Sequence, residues 1–340
     1  MKNTLRRIPT YLVFAYFIFI FLWVVAYLLT RDQIREVSII NMFAIYIFLP
    51  LPLFFILALY VRRKEGLIDG ALALIVFILF WGRLFIPHPQ LASAEGDRLS
   101  VMTYNLLGWQ SDIDQQIETI RHENPEVVLL QEVNPAMAAA LQSEMLDEYP
   151  YQALDPADGV GGMGVISKYP IQPTEAQLPL GWVGTPQVLE MDWNGRSTTL
   201  VNFHMQPSDM NSLSKVSGEN RRREAQAKAL ADLTLNAGPL IVGGDANATP
   251  LNTPYRILTR ELKDSWLEAG FGLGHTFPGS DVQGSSRPHL AGFPVPKWLM
   301  RIDYIFHSPH WRAVSAHTAP FDGVSDHRGV VTTLIWDADN

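Results

Sequence analysis

The sequence predicts a mixed α/β domain carried behind three transmembrane helices. Three observations predict it. Apolar residues crowd the first 87 positions, charge divides into two parts of opposite sign, and from Arg98 onward short β-type runs alternate with helical patterns. The 340 residues are too many for one small domain alone.

Tyr11–Leu29 is 19 residues without a charge, and Ile39–Val61 is 23, interrupted by Pro50 and Pro52. Leu67–Ile86 is a third apolar stretch, with Asp69 near one end, Arg83 near the other and an unbroken apolar part from Gly70 to Gly82. About 20 apolar residues span a bilayer as a helix, so three spans are expected, at about 11–29, 39–61 and 67–86. The first is too long for the apolar core of a cleaved signal peptide. No small-residue cleavage pattern follows it at Thr30-Arg31-Asp32.

Lys2, Arg6 and Arg7 precede the first span, and Arg62, Arg63 and Lys64 lie between the second and third. The loop between the first two holds only Arg31 and Arg35. The positive-inside bias therefore puts the N-terminus in the cytoplasm. Three crossings then carry everything after Ile86 outside, as a multi-pass protein of the cytoplasmic membrane.

Residues 1–87 hold nine Lys/Arg against four Asp/Glu, net +5, which leaves 17 against 30, net −13, in the rest. An acidic domain lacks the positive footprint of tight, non-specific nucleic-acid binding. The chain has no cysteine, which excludes disulfides, thiolate chemistry and Cys-type zinc sites.

Residues 88–97 read as a polar, Pro-containing linker. They include Ala92-Ser93-Ala94, a small-residue linker or a signal-peptidase site that would release the domain of residues 98–340. Strands are expected at Leu99–Tyr104, Val127–Gln131, Gly164–Ser167, Val188–Trp193, Thr198–His204, Pro239–Gly243, Ile302–His307 and Val330–Ile335. Helices are expected at Asp112–His122, with Asp112 as N-cap, and at Glu219–Leu235.

Several β-runs end in polar residues. "VMTYN" ends at Asn105, "VVLLQE" at Glu132 and "LVNFH" at His204. "IVGGDANATP" delivers Asp245 and Asn247, "RIDYIF" carries Asp303, and "SDHRG" carries Asp326 and His327. Strand ends are where a rigid scaffold presents side chains to a ligand. Each item alone is an ordinary turn or surface residue; together they are hard to explain so. Glu132, Asp326, Asn105 and Asn247 offer hard oxygen ligands, which suits Mg²⁺ or Mn²⁺. His327 and His204 exchange protons near neutrality, and Asp303 has the chemistry to orient one imidazole. Such a set meets the needs of phosphate-ester hydrolysis.

"GGDANATP" lacks the Lys of a Walker loop and the distal pattern of an EF-hand. Asn247-Ala248-Thr249 is a formal glycosylation sequon, disfavoured by Pro250. Its two glycines are expected to let the backbone approach a substrate closely. Arg221-Arg222-Arg223 is either a solvated helix face or, through Arg223, an anionic-substrate contact. Trp182, Trp298 and Trp311 belong to the core or line a groove. His289–Met300, "HLAGFPVPKWLM", is a packed surface loop or one that dips toward a membrane.

The ordered set "TYNLLGW", "LLQEV", "ISKYPI", "NFHMQP", "GGDANATP", "RIDYIF" and "SDHRGV" resembles the endonuclease/exonuclease/phosphatase superfamily, the DNase-I-like fold, over roughly residues 98–337. Spans followed by such a domain also resemble its VanJ-like membrane members. The resemblance implies a four-layer α/β sandwich. It implies Glu132 as main metal ligand with Asn105 beside it and Asp326 a further ligand. It implies His327, paired with Asp303, on the scissile phosphate as base or charged stabiliser. Asp245 would orient or deprotonate the attacking water, Asn247 would contact the phosphate, and His204 would act near the leaving group. In DNase-I-like nucleases a Glu before the proline of the "SKYP"-type motif can support that histidine; here it is Tyr169. The expectation is a membrane-anchored, Mg²⁺- or Mn²⁺-dependent phosphoesterase on a lipid-linked or small phosphate. A nuclease and a catalytically silent phospholipid binder are the alternatives.

Overall fold

A computed structural model describes residues 2–337 apart from 62–63, 89–94, 111, 180, 209–213, 236–237, 283–284, 286 and 291. Ala92-Ser93-Ala94 lies outside the described residues. The chain divides into Met1–Ile86 and Pro87–Asn340.

The first unit contains α1 (Lys2–Thr30), α2 (Arg35–Met42), α3 (Leu51–Val61) and α4 (Lys64–Trp81). Among the described residues, two helices are long and apolar enough to cross a membrane, Ile8–Thr30 and Lys64–Phe85. A third crossing exists only if the pair Arg35–Met42 and Ala44–Tyr60, bent by 73°, counts as one span. The span expected over 39–61 is thus formed, if at all, by two helices at a sharp angle. The bend falls at Phe43, whose φ of −116° and ψ of 14° are not helical. Just before it, Asn41 is tied down, accepting from Trp23 Nε1 at 3.1 Å and donating to Asp32 Oδ1 at 3.0 Å.

The second unit is built from two six-stranded sheets. The first half of its chain runs β1 (Arg98–Asn105), α5 (Asp114–Glu123), β2 (Val127–Gln131), α6 (Pro135–Glu144), β3 (Tyr151–Asp155) and β4 (Met163–Ser167). The second half begins with β5 (Ile171–Pro173), β6 (Gln187–Trp193), β7 (Arg196–His204), α7 (Val216–Thr234) and β8 (Leu240–Asp245). Then come α8 (Thr253–Glu261), β9 (Lys263–Asp264), α9 (Ser265–Ala269), the hairpin β10 (His289–Leu290) and β11 (Phe293–Pro294), β12 (Asp303–His307), β13 (Trp311–Thr318) and β14 (Val330–Trp336). α5 starts at Asp114, so Asp112 is not its N-cap.

Strand order is β13-β14-β1-β2-β4-β3 in one sheet and β5-β6-β7-β8-β12-β9 in the other. Each sheet has a parallel centre, β1 with β2 and β7 with β8, joined by a crossover helix, α5 and α7. Parallel pairs demand such crossovers and burial on both faces, and β2 and β8 are buried along their whole length. Met102, Val128 and Leu130 pack with Ile117, Ile120, Met137 and Leu141 of α5 and α6. Val201, Phe203 and Val242 pack with Ala227 and Leu230 of α7 and Leu258 of α8. The other faces of the two sheets meet each other. Gln131 Nε2 donates to Asn202 Oδ1 across the interface at 2.7 Å, and Asn202 Nδ2 donates back to the Leu130 carbonyl at 2.9 Å. The result is helix, sheet, sheet, helix.

Trp311 is wholly buried, its ring 4.8 Å from that of Trp193, and Trp182 packs partly buried against Phe203. These two belong to the core. The His289–Met300 segment forms the β10–β11 hairpin, with Phe293 76% exposed.

Candidate active site

The topology gathers the polar strand ends at one edge. β1, β2, β7 and β8 deliver Asn105, Glu132, His204 and Asp245 at their C-terminal ends, where Asn105 lies opposite Gln131 and His204 opposite Asp245. β12 runs antiparallel to β8 and so enters at the same edge, setting Asp303 opposite Asp245. β14 is antiparallel to β1, so Asp326 and His327, just before it, arrive there too.

His327 Nδ1 lies 2.9 Å from Asp303 Oδ2, and its Nε2 lies 3.8 Å from Asp245 Oδ2 and 4.0 Å from Asp326 Oδ1. His204 Nε2 lies 3.4 Å from the same Asp245 oxygen and 4.0 Å from Glu132 Oε1. Asn105 Nδ2 bridges Glu132 Oε1 at 3.0 Å and Asp245 Oδ2 at 3.2 Å, and its Oδ1 accepts from Leu107 N–H. Gly108 N–H donates to Glu132 Oε2 at 3.0 Å. Asn247 Nδ2 donates to Asp245 Oδ2 at 3.1 Å and to the Met205 carbonyl, while its N–H donates to Asp245 Oδ1. Glu132, Leu107 and Asn247 all hold left-handed backbone, with φ of 61°, 56° and 47°. Such non-glycine conformations persist where surrounding structure enforces them.

Burial lowers the affinity of the His327 ring for a proton, but Asp303 and Asp245 outweigh it and lift its pKa to about 10. Asp303, fully buried and beside Asp245, sits above its ordinary carboxylate value even though the imidazole, hydrogen-bonded to its Oδ2, pulls it down. Burial pushes Asp245 up, yet His327 and His204 hold it below its ordinary value. Burial also depresses His204, and Asp245 and Glu132 more than offset it.

Four carboxylates, Glu132, Asp245, Asp303 and Asp326, are buried here, and two imidazoles, His204 and His327, lie within ion-pair distance of them. Buried charge of this sign calls for a cation, and an all-oxygen donor set suits a hard divalent ion. Asp245, Asp303 and His327 also form a buried group with ligand atoms within 4.8 Å of one another. The hydrogen bond from His327 to Asp303, with Asp245 facing the other ring nitrogen at 3.8 Å, reads better as a proton-handling array.

Arg223 is buried, donating to the Gln206 carbonyl at 2.8 Å and to Asn220 Oδ1 at 2.5 Å. These bonds set it against the loop that follows His204. Tyr169 bears differently on the site than the motif suggests. β4 is antiparallel to β2 with Ser167 opposite Val127, so Tyr169 falls at the far edge, where its hydroxyl reaches Glu126 at 3.5 Å. It therefore says nothing about support for His204, whose Nδ1 has no partner among the described residues. The two glycines of β8 also let the chain pack closely against itself. A Cβ on Gly244 would lie 1.9 Å from the Phe203 carbonyl oxygen, and one on Gly243 would lie 2.6 Å from the Leu129 side chain.

Several groups escaped the sequence. Ser325 Oγ donates to the Asn105 carbonyl at 2.8 Å and accepts from His327 N–H at 3.0 Å. Thr276 Oγ1 accepts from Asp303 N–H at 3.4 Å, and the Phe277 ring lies 4.9 Å from that of His327. Only Ser325 had a signal, as the residue opening "SDHRG".

The sequence pattern of the Endonuclease/Exonuclease/phosphatase family matches residues 102–327. The chain belongs to this family. Its members are typically metal-dependent phosphoester hydrolases. Among solved structures, the endonuclease/exonuclease/phosphatase of Beutenbergia cavernae DSM 12333 is 22% identical, covering 70% of this chain and 72% of that one, with a TM-score of 0.52. D. rerio TDP2 complexed with single strand DNA product is 17% identical, covering 70% and 99%, with a TM-score of 0.54. Staphylococcus aureus beta toxin 275-280 is 17% identical, covering 69% and 99%, with a TM-score of 0.51. At these identities the likeness establishes the fold. A search of curated proteins gives no match.

Proposed function

We propose that this protein is a membrane-anchored, divalent-metal-dependent phosphoesterase. It hydrolyses an ester or anhydride of a lipid-linked or small phosphate on the outer side of the cytoplasmic membrane, as its likeness to VanJ-like members implies. One observation carries the reading: Asn105, Glu132, His204, Asp245, Asn247, Asp303 and His327 converge at one sheet edge with the contacts given above.

Glu132, with Asn105 beside it and Asp326 as a further ligand, would hold Mg²⁺ or Mn²⁺, which when bound would polarise a phosphoryl oxygen. The chain supplies the rest. Asp245 orients the attacking water and takes its proton, its carboxylate held by Asn105 and Asn247. His327, kept charged by Asp303, donates to a phosphoryl oxygen as charge builds. His204, 3.4 Å from the same Asp245 oxygen, donates toward the phosphate or leaving oxygen, and Asn247 contacts the phosphate.

The product complex of TDP2 with single-stranded DNA favours a second reading, a nuclease. The net −13 of the domain weighs against it. The deciding experiment screens full-length protein with Mg²⁺ for phosphate release from phospholipids, isoprenoid phosphates, nucleotides and nucleic acids. Glu132→Gln and His327→Ala serve as controls. Lipid or small-molecule turnover lost in both controls supports the proposal. Plasmid nicking without such turnover would make it a nuclease, and no turnover at all would leave a phospholipid binder.

A further inference from the structure

Resting on the phosphoesterase reading, we propose that Arg328, laid flat on Trp298 beside the catalytic cluster, forms with Lys297 a subsite for a second anionic group of the substrate. Arg328 follows His327 directly, and its N–H donates to the Thr276 carbonyl at 2.9 Å. The wall it joins borders the site. Phe277 touches the His327 ring, Gly279 N–H donates to the Asp326 carbonyl, and Trp298 N–H donates to the Pro278 carbonyl at 2.8 Å.

On this wall the Arg328 guanidinium carbon lies 3.8 Å from the Trp298 ring centroid, and Lys297 Nζ lies 4.4 Å from that of Phe321. The two rings meet edge to face at 5.1 Å. Neither cation has a carboxylate within ion-pair distance among the described residues. Arg328 Nε is buried and has no hydrogen-bond partner there. Burying a donor unpaired is costly, and a domain rich in acids has partners to spare, so two unneutralised cations beside the site are a notable arrangement. Stacking leaves the N–H edge of a guanidinium free, and its planar fork suits phosphate or carboxylate.

Two further features keep the indole in place. Trp298 holds left-handed backbone, φ 60°, and a Cβ on Gly279 would lie 2.5 Å from its ring. Arg287 adds a third positive charge and ties the wall together, donating to the Val295 and Gly279 carbonyls. The second group would be a phosphate joined to the first or a carboxylate on the same molecule, and both share the chemistry of a compact anion.

The test measures binding of inorganic phosphate, inorganic pyrophosphate and phosphoglycolate to full-length protein in detergent with excess Mg²⁺. Wild type, Arg328→Gln and Lys297→Ala are compared. Wild type is expected to prefer at least one two-group probe over phosphate, and the preferred probe identifies the second group. Arg328→Gln is expected to weaken that probe about tenfold or more while phosphate shifts by about twofold or less. Lys297, exposed, is expected to give a smaller change in the same direction, which covers the case of a misfolded Arg328 variant. No preference in wild type, or equal weakening of all three probes, would overturn the subsite. Hydrolysis of bis(p-nitrophenyl) phosphate by wild type checks the underlying reading separately. Selective binding without hydrolysis sinks that reading and keeps the subsite, whereas hydrolysis with unselective binding sinks the subsite alone.

Discussion

His327 is a buried imidazole with carboxylates facing both ring nitrogens. Its pKa, raised to about 10, exceeds the ordinary value of about 6.5, so the charged ring stabilises the fold fully below pH ~6.5. That contribution is lost as pH rises through about 10. Asp303→Asn removes the first charge that holds the proton. The alkaline limb of a pH–rate profile in saturating Mg²⁺ is then expected to move to lower pH, and an unmoved limb would show that Asp303 does not set the charge of His327. His327→Ala is expected to cost about 10²–10⁴ in kcat. Glu132 sits among buried carboxylates, so Mg²⁺ or Mn²⁺ is expected to raise the melting temperature by mass action. EDTA should abolish activity, and Glu132→Gln should erase the metal-dependent rise. The residues of these tests were legible because each lies at or within a few positions of one end of a β-run. Ser325 bridges to Asn105 across 220 positions, and no local pattern encodes a partner that far away.

At the scale of elements, buried strands were legible where they were apolar throughout. Val127–Gln131 was read with its exact limits because all five residues are buried and the run is continuous. Edge elements were not. β3 is half exposed along its length, and β13 carries a register shift between Ala313 and Ser315 that breaks its alternation. The pairing of Arg301 with Asp264 was equally invisible. Its two bonds of 3.0 and 2.7 Å are buried and join positions 37 apart, and Tyr255 donates to the same carboxylate at 2.6 Å. Arg301 stacks on Tyr304, whose hydroxyl lies 2.8 Å from the Ala248 carbonyl, next to Asn247. Asp264→Ala strands a buried guanidinium and a phenol, and is expected to cost about 3–5 kcal/mol. Denaturant unfolding of the full chain in detergent measures it, and a loss below about 1 kcal/mol would mean that the pair contributes little beyond its own desolvation.

For the whole molecule, the side on which the site works depends on one bent helix pair. If Arg35–Met42 and Ala44–Tyr60 cross together, three spans carry the domain outside. If they only dip in and return, two spans leave it in the cytoplasm, with Arg62, Arg63 and Lys64 outside. Three adjacent cations on the outer face oppose the positive-inside bias, and translocating them is unfavourable against the membrane potential. Full crossing is therefore the expected topology. The absence of cysteine makes the test clean. Gln33 and Glu175 are both exposed, one between α1 and α2 and one in the second unit. Single Gln33→Cys and Glu175→Cys variants are each expected to react with an impermeant maleimide in intact cells. Labelling of Gln33→Cys alone would place the domain inside and direct the search for a substrate to the cytoplasmic leaflet.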